Sequence, residues 1–276
     1  MKRTFDDVAL PLAFDLRVPA GAIAVTAEET SQVEIELEPR NAAAHEALEA
    51  VVVDLRRRGE GQELIVEVPE RRGFGFFGRS PEFDLRIRCP HHADVKVSTA
   101  TADFEGRGTF GSFELKSASG DVEAELVDRD VRVQTASGDV SLGGVGGGVS
   151  VQTASGDVTI DQAGGRVRAQ LVSGDLTIRD ARSDVDANTV SGDQGLDAVA
   201  AGSIALQSVS GDVRVGVRPG ANVWMDVRSL SGDTSSQLTP MDEPSSEDAP
   251  LVELRIKSVS GDVTIQPAAA APVDRS

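Results

Sequence analysis

The chain has 276 residues and a formal net charge of −18, so its length allows one large or two small domains. Aromatic residues make up 4% of the sequence, with one Trp and no Tyr, whereas Gly occurs 28 times. Small and β-branched residues favour closely stacked strands with tight turns. The acidic charge argues against binding to nucleic acid and against electrostatic binding to anionic lipid, because both need a basic protein surface.

Cysteine usage and hydropathy limit the cellular setting. Cys89 is the single cysteine, so we expect no disulfide framework within the chain. The apolar stretch 8–14 is too short, and too interrupted by proline, for a secretory signal. No run of about 18 apolar residues is present. These features predict a cytoplasmic protein without direct insertion into a membrane.

The first part of the chain, residues 1–95, alternates apolar and polar side chains without a fixed repeat. Strict alternation is typical of half-buried strands. Residues 14–18, 22–26 and 33–37 therefore predict three strands, of which the last two would form a hairpin. We interpret the whole region as a β-rich cap.

One short helix interrupts this region. Asn41 is placed to cap a helix near 41–49, which is rich in Ala and Glu. A second hairpin is predicted over 51–68, with its turn at the Gly-Glu-Gly sequence of 59–61. A longer helix that runs through Leu55 is the competing interpretation.

A loop rich in Gly and Phe follows at 71–81. Three phenylalanines lie among glycines there, Phe74, Phe76 and Phe77. We expect them to act either as anchors that bind a partner or as a plug that covers the open first coil of the region that follows. We favour the plug, because a stack of strands must cover its ends to avoid aggregation. A further strand is predicted around 83–87.

A repeated tripeptide organises the rest of the chain. Ser-Gly-Asp begins at Ser119, Ser137, Ser155, Ser173, Ser191, Ser210, Ser231 and Ser260. The serines advance by 18, 18, 18, 18, 19, 21 and 29 residues. A fixed period of this length indicates a repeat architecture.

Each 18-residue coil divides into two nine-residue halves. In one half Val158, Ile160 and Ala163 are apolar, and in the next Val167, Ala169 and Val172. We expect each triplet to point inward, the first two residues from a strand and the third after a bend. Equivalent coils would stack about 4.8 Å apart. The pattern predicts an all-β, single-chain β-solenoid with two strands per coil over 96–266, in about nine coils.

The later coils are less regular. We expect Met225, Val227 and Leu230 to point inward and Trp224 to lie outside. The polar stretch 234–250 predicts an inserted loop. The last coil would contain Leu254, Ile256, Val259, Val263 and Ile265, and the tail 267–276 is predicted to be disordered.

The repeated segments of these coils resemble those of a known protein family. Repeated V-x-[TS]-[AV]-S-G-D-V segments follow alternating strands, a helix and a Gly/Phe loop. This combination resembles the bacterial β-strand-repeat family of putative adhesins, a domain of unknown function, over roughly residues 10–267. The resemblance implies a β-solenoid without an assigned catalytic site or cofactor.

The aspartates of the tripeptide are the most prominent candidate site. They are Asp121, Asp139, Asp157, Asp175, Asp193, Asp212, Asp233 and Asp262. Stacked carboxylates repel one another, by about 0.9 kcal/mol per pair in water, so a cation or local hydrogen bonds must offset the repulsion. We favour the structural role, in which Asp accepts backbone N–H bonds at a turn and Ser hydroxyls link neighbouring coils. Calcium is the weaker alternative, because Asp directly follows Gly and directly precedes a core Val.

Other reactive residues offer no established pattern. The spacing of Cys89, His91 and His92 fits no common metal site. No nucleophile motif accompanies the many serines. We therefore predict no catalytic residue, no metal and no cofactor.

The leading functional hypothesis is a non-enzymatic scaffold or interaction protein, with an unknown protein partner or self-association. An envelope- or surface-associated adhesin is the first alternative. A carbohydrate-active enzyme is the second, since other β-solenoids place paired acids on one face, but the coils contain almost no aromatic sugar platform.

Overall fold

A computed structural model of the chain describes residues 1–69, 80–238 and 249–269. Contacts divide the chain into residues 1–147, called unit 1, and residues 148–276, called unit 2. In these described residues almost all regular structure is β-strand, with one α-helix, α1 (Ala42–Ala47), followed by a 3-10 turn at Leu48–Ala50.

The strands of unit 1 are β1 (Lys2–Phe5), β2 (Leu12–Arg17), β3 (Ala20–Glu28), β4 (Val33–Pro39), β5 (Val52–Arg58), β6 (Gly61–Glu67), β7 (Glu82–Pro90), β8 (Asp94–Ser98), β9 (Thr101–Phe110), β10 (Phe113–Lys116), β11 (Val122–Val127), β12 (Val131–Thr135) and β13 (Val140–Val145). They form two series, β1-β4-β7-β3-β9-β11-β13 and β5-β6-β2-β8-β10-β12.

The strands of unit 2 are β14 (Val149–Ser155), β15 (Val158–Ala163), β16 (Val167–Ser173), β17 (Leu176–Ala181), β18 (Val185–Ser191), β19 (Gln194–Val199), β20 (Gly202–Ser210), β21 (Val213–Val217), β22 (Asn222–Ser231), β23 (Thr234–Ser236), β24 (Leu251–Ser260) and β25 (Val263–Pro267). They form the series β14-β16-β18-β20-β24-β22 and β15-β17-β19-β21-β25-β23.

The predicted β-solenoid with two strands per coil is confirmed. In unit 1, β11 and β13 are parallel, with Val122 opposite Val140. In unit 2, β16 and β18 are parallel, with Val167 opposite Val185. Each register pair is 18 residues apart, so the sequence period equals one coil.

Part of the predicted cap region is itself solenoidal. β2 lies parallel between β6 and β8, and β3 lies parallel between β7 and β9. The predicted hairpin of 22–26 with 33–37 is therefore wrong. Both edges of β3 are occupied by parallel neighbours, so β4 pairs antiparallel with β7 and β1 instead.

The short helix and the second hairpin form as predicted. The Asn41 side chain accepts a hydrogen bond from the backbone N–H of Ala44 at 2.8 Å. The alternative helix through Leu55 does not form, because the backbone is already extended at Val51. β5 and β6 then pair antiparallel, with Arg58 opposite Gly61.

The order of coils in unit 2 departs from the order of the sequence. β24 pairs with β20 on one side and with β22 on the other. β25 likewise lies between β21 and β23. The coil of residues 251–267, predicted to be the last, is therefore inserted before the coil of 222–236.

This terminal coil also corrects the predicted limits of the inserted loop. Residues 234–236, assigned to the loop from the sequence, form β23 and pair with β25. No residue within 222–231 is fully buried. Trp224 is outside, as predicted, but Met225 and Leu230 are exposed rather than inward.

The core of both units consists mainly of stacked aliphatic side chains. Val158, Ile160 and Ala163 are each fully buried, in agreement with the predicted inward triplet. In unit 1 the rings of Phe104 and Phe113 also contact each other, with centroids 4.7 Å apart. The predicted domain limits 1–95, 96–266 and 267–276 stay predictions.

Candidate functional site

The Ser-Gly-Asp corners form a continuous chain of hydrogen bonds within each unit. The backbone N–H of Asp193 donates to Oδ1 of Asp175 at 2.8 Å, and that of Asp212 donates to Oδ1 of Asp193 at 2.7 Å. The same bond recurs at Asp121–Asp103, Asp139–Asp121, Asp175–Asp157, Asp262–Asp212 and Asp233–Asp262. In each of these pairs the carboxylate accepts a backbone N–H of the neighbouring coil.

Glycine is required at these corners for two reasons. Gly192 has a φ of +131°, a conformation that L side chains rarely adopt. A Cβ on Gly192 would also lie 2.1 Å from the carbonyl oxygen of Gly174. The corner glycines therefore let successive coils approach closely.

Hydroxyl groups also form bonds within the corners, whereas the predicted links between serine hydroxyls of neighbouring coils stay a prediction. The local bond comes from two residues earlier, where Thr153 Oγ1 donates to the carbonyl of Ser155 at 2.9 Å. In the same way, Thr135 Oγ1 donates to the carbonyl of Ser137 at 2.7 Å. These corners are closed by threonine, and the aspartates and backbone link the coils.

The balance between a structural and a cation-binding role for the eight aspartates stays a prediction. The hydrogen bonds above offer one means of offsetting the repulsion between stacked carboxylates. Within the described parts of the chain, no group of three or more His, Cys, Asp or Glu residues is arranged to hold a metal ion.

A row of exposed valines lies beside these corners in unit 2. Val172, Val190, Val209 and Val259 are 53%, 50%, 49% and 47% exposed. Each directly precedes a corner serine, and the serines are in register across β16, β18, β20 and β24. We call these four residues the valine ladder. Neighbouring members are one strand spacing, about 4.8 Å, apart.

The valine ladder corrects the predicted inward triplets. Val172, predicted to point inward, is exposed, and so are Ala154 and Val190 at the equivalent position of other coils. The buried side chain lies one residue earlier, as Leu171 shows at 3% exposure. The alternation of β16 continues through Leu171 without a bend. Strict counting by two from Val167 could have found this.

Cys89 and the two histidines do not form a joint site. Cys89 is fully buried on β7, and burial, with a smaller contribution from Glu28, raises the pKa of its thiol to about 12. His92 is exposed, and its Nδ1 lies 2.5 Å from Oδ2 of Asp128. The thiol is therefore shielded from solvent and held protonated at neutral pH.

The phenylalanines of the Gly/Phe loop, Phe74, Phe76 and Phe77, lie outside the described residues. Their predicted function as a plug or an anchor stays a prediction.

The stacked coils and their corner bonds define a β-solenoid repeat protein. Residues 15–266 match the family model described as Toastrack DUF4097. The chain therefore belongs to the Toastrack DUF4097 family, whose domain is β-solenoid-like. This finding confirms the resemblance noted in the sequence.

Several solved structures resemble the chain over nearly its whole length. A putative adhesin from Bacteroides fragilis is 12% identical, with a TM-score of 0.47 and 96% of each chain covered. A putative lipid binding protein from Parabacteroides distasonis is 11% identical, with a TM-score of 0.44, 98% of this chain and 96% of that chain covered. A putative cell adhesion protein from Clostridium sporogenes is 9% identical, with a TM-score of 0.32, 97% of this chain and 99% of that chain covered.

The comparison with curated proteins found no match to this chain. In the described residues, no helix has the length and apolar character needed to cross a membrane.

Proposed function

We propose that the protein is a non-enzymatic interaction module that contacts a partner protein through the valine ladder. The observation that carries this proposal is the row of four half-exposed valines at one equivalent position of consecutive coils. Contiguous exposed apolar side chains are typical of interaction sites. Isolated exposed valines would need no such explanation.

The surroundings of the ladder indicate the chemistry of the partner. An aspartate follows each ladder valine by three residues, and Asp175, Asp193 and Asp262 among them are exposed. The whole chain carries a net charge of −18. The surface suits a protein partner with an apolar stripe bordered by Lys or Arg side chains.

Two further observations support a role without catalysis. The repeated carboxylates already accept backbone N–H bonds, as Asp193 does from Asp212. The single thiol is buried, and its raised pKa disfavours the nucleophilic thiolate. The aspartates of the Ser-Gly-Asp motif thus already take part in hydrogen bonds between coils.

Site-specific photo-crosslinking tests the proposal. A photoreactive residue is placed at Val190, at Val209 or, as control, at Arg179, which is exposed on β17. The two ladder positions should yield the same adduct, which the control lacks. With the purified partner, the Val190→Ser/Val209→Ser variant should raise Kd at least about tenfold. Identical adducts at all three positions, or an unchanged Kd, would overturn the proposal.

The cytoplasmic location expected from the sequence is part of the proposal. Fractionation of the source cells tests it, since recovery of the protein in the envelope fraction would contradict it.

A further inference from the structure

The terminal coil of unit 2 leaves a strand edge and apolar side chains exposed. Within the described residues, β22 is the outermost strand of its series. Leu230 is 84% exposed and Trp224 is 48% exposed. An apolar edge of this kind is a template for pairing with another strand.

The side chains of β22 are arranged for pairing with a copy of itself. Trp224, Asp226, Arg228 and Leu230 alternate with residues of the inner face, so all four share the outer face. Arg228 Nε donates to Oδ1 of Asp226 at 3.0 Å, which fixes both charges on that face. The Arg255 guanidinium lies 5.7 Å from the centre of the Trp224 ring and holds the indole there.

We propose that two copies of the chain associate through antiparallel pairing of β22 with β22, about a two-fold axis at Val227. In this register Asp226 faces Arg228 of the second copy, and Trp224 faces Leu230 of the second copy. Each contact occurs twice, as an isologous interface requires. Opposite charges and apolar pairs directly across two strands stabilise their pairing.

The charges also select this register against its neighbours. An axis at Asp226 would place two aspartates opposite each other, and an axis at Arg228 would place two arginines opposite each other. Like charges directly across a strand pair are unfavourable. The axis at Val227 is the arrangement between these two, and it pairs every charge of the strand with its opposite.

Leu230 directly precedes Ser231, which is in register with Ser260, so Leu230 lies beside Val259 of the valine ladder. Asp226 and Arg228 are not members of the ladder, so substitutions at these two residues test this proposal separately. Asp226→Arg places arginine against arginine in the dimer, and Arg228→Asp places aspartate against aspartate. Each single variant should raise the dimer Kd at least about tenfold. The double variant Asp226→Arg/Arg228→Asp should restore it. An equimolar mixture of the two single variants should form a heterodimer.

Sedimentation equilibrium of the full chain measures these equilibria. Trp224 is the only tryptophan, so its fluorescence reports burial at the interface directly, as a blue shift of emission with rising concentration. Circular dichroism of each variant checks that the fold is intact. Val190→Ser/Val209→Ser serves as the control that should leave dimerisation unchanged.

Two results would overturn the proposal. One is a wild-type chain that remains monomeric up to about 100 μM, well above the Kd of an ordinary specific contact. The other is a dimer whose Kd is the same in both single variants and in the wild type.

Discussion

The outermost strands of unit 1 and the terminal coil of unit 2 differ in how they treat the edge of a sheet. In unit 1, the antiparallel strands β1 and β5 end their series and carry basic side chains such as Arg3 and Arg57. Behind β1, Leu37 on β4 is fully buried. In unit 2, β22 is parallel to its neighbour and exposes Leu230.

The difference separates stability from association. A charged antiparallel edge discourages further strands, and the buried aliphatic residues behind it contribute to folding. An exposed apolar edge contributes little to folding and remains free for a partner. α1, which lies against β4 and β7, adds to the covering of unit 1, and the described part of unit 2 has no helix.

The largest expected effect is a matched pair of leucine truncations. Leu37→Ala removes a side chain with no exposure and should lower the free energy of unfolding by about 2–5 kcal/mol. Leu230→Ala removes an 84% exposed side chain and should change it by less than about 0.5 kcal/mol. Urea titration at concentrations where the chain is monomeric measures both. Equal costs would remove the distinction between the two edges.

A second pair compares an interior corner with the edge corner of unit 2. Gly192 and Gly232 have similar φ values, +131° and +140°, and a Cβ would lie 2.1 and 2.2 Å from a neighbouring carbonyl oxygen. The edge coil can shift outward, whereas the interior coil is held on both sides. Gly192→Ala should therefore cost about 3 kcal/mol and Gly232→Ala about 1 kcal/mol. Thermal melting measures the two costs, and a larger loss for Gly232→Ala would argue that the edge coil is held rigidly.

The smallest expected effect tests how closed the interior of unit 1 is. Burial raises the pKa of the Cys89 thiol from 9.0 to about 12. The pKa of the thiol is higher in the folded chain than in the unfolded chain. The contribution of the thiol to the free energy of unfolding is therefore complete below pH 9 and declines between pH 9 and 12. The slope is about 1.4 kcal/mol per pH unit. Urea titrations at pH 8 and pH 10 should show this loss in the wild type relative to Cys89→Ala. Parallel pH profiles would mean that solvent reaches the thiol.

Much of the fold could be predicted because the solenoid is local in sequence. The 18-residue spacing of Ser-Gly-Asp places equivalent residues one above another, as the pairing of Ser173 with Ser191 shows. The helix after Asn41 and the hairpin turn near Gly59 also depend only on nearby residues. The period therefore predicts the parallel coils.

The order of the coils could not be predicted in this way. Alternating apolar residues of one coil can stack equally well on those of several other coils. The apolar pattern of β24 therefore does not determine whether it pairs with β20 or with β22. One signal was present in β23, where Thr-Ser-Ser at 234–236 replaces the apolar residues of other coils. A polar second strand is better suited to an outer coil than to an inner one.

The exposed ladder was missed for a different reason. Val172 is as apolar as the core residues, and only the course of the backbone between Leu171 and Ser173 decides which side it faces. A one-residue difference at a corner moves a side chain from the core to solvent. The candidate site therefore depended on geometry that the composition of the repeat does not contain.

The inserted coil also determines the order in which the chain can fold. A ribosome delivers residues 222–236 before 251–267, yet β22 and β23 find their partners only on the later segment. Until that segment emerges, the newest edge available is β20, whose Ser210 occupies the same register position that Ser260 offers to Ser231. Premature pairing of β22 with β20 would have to be undone before β24 could enter. Synthesis from the N-terminus can therefore add the earlier coils one by one, but the terminal coil is completed last.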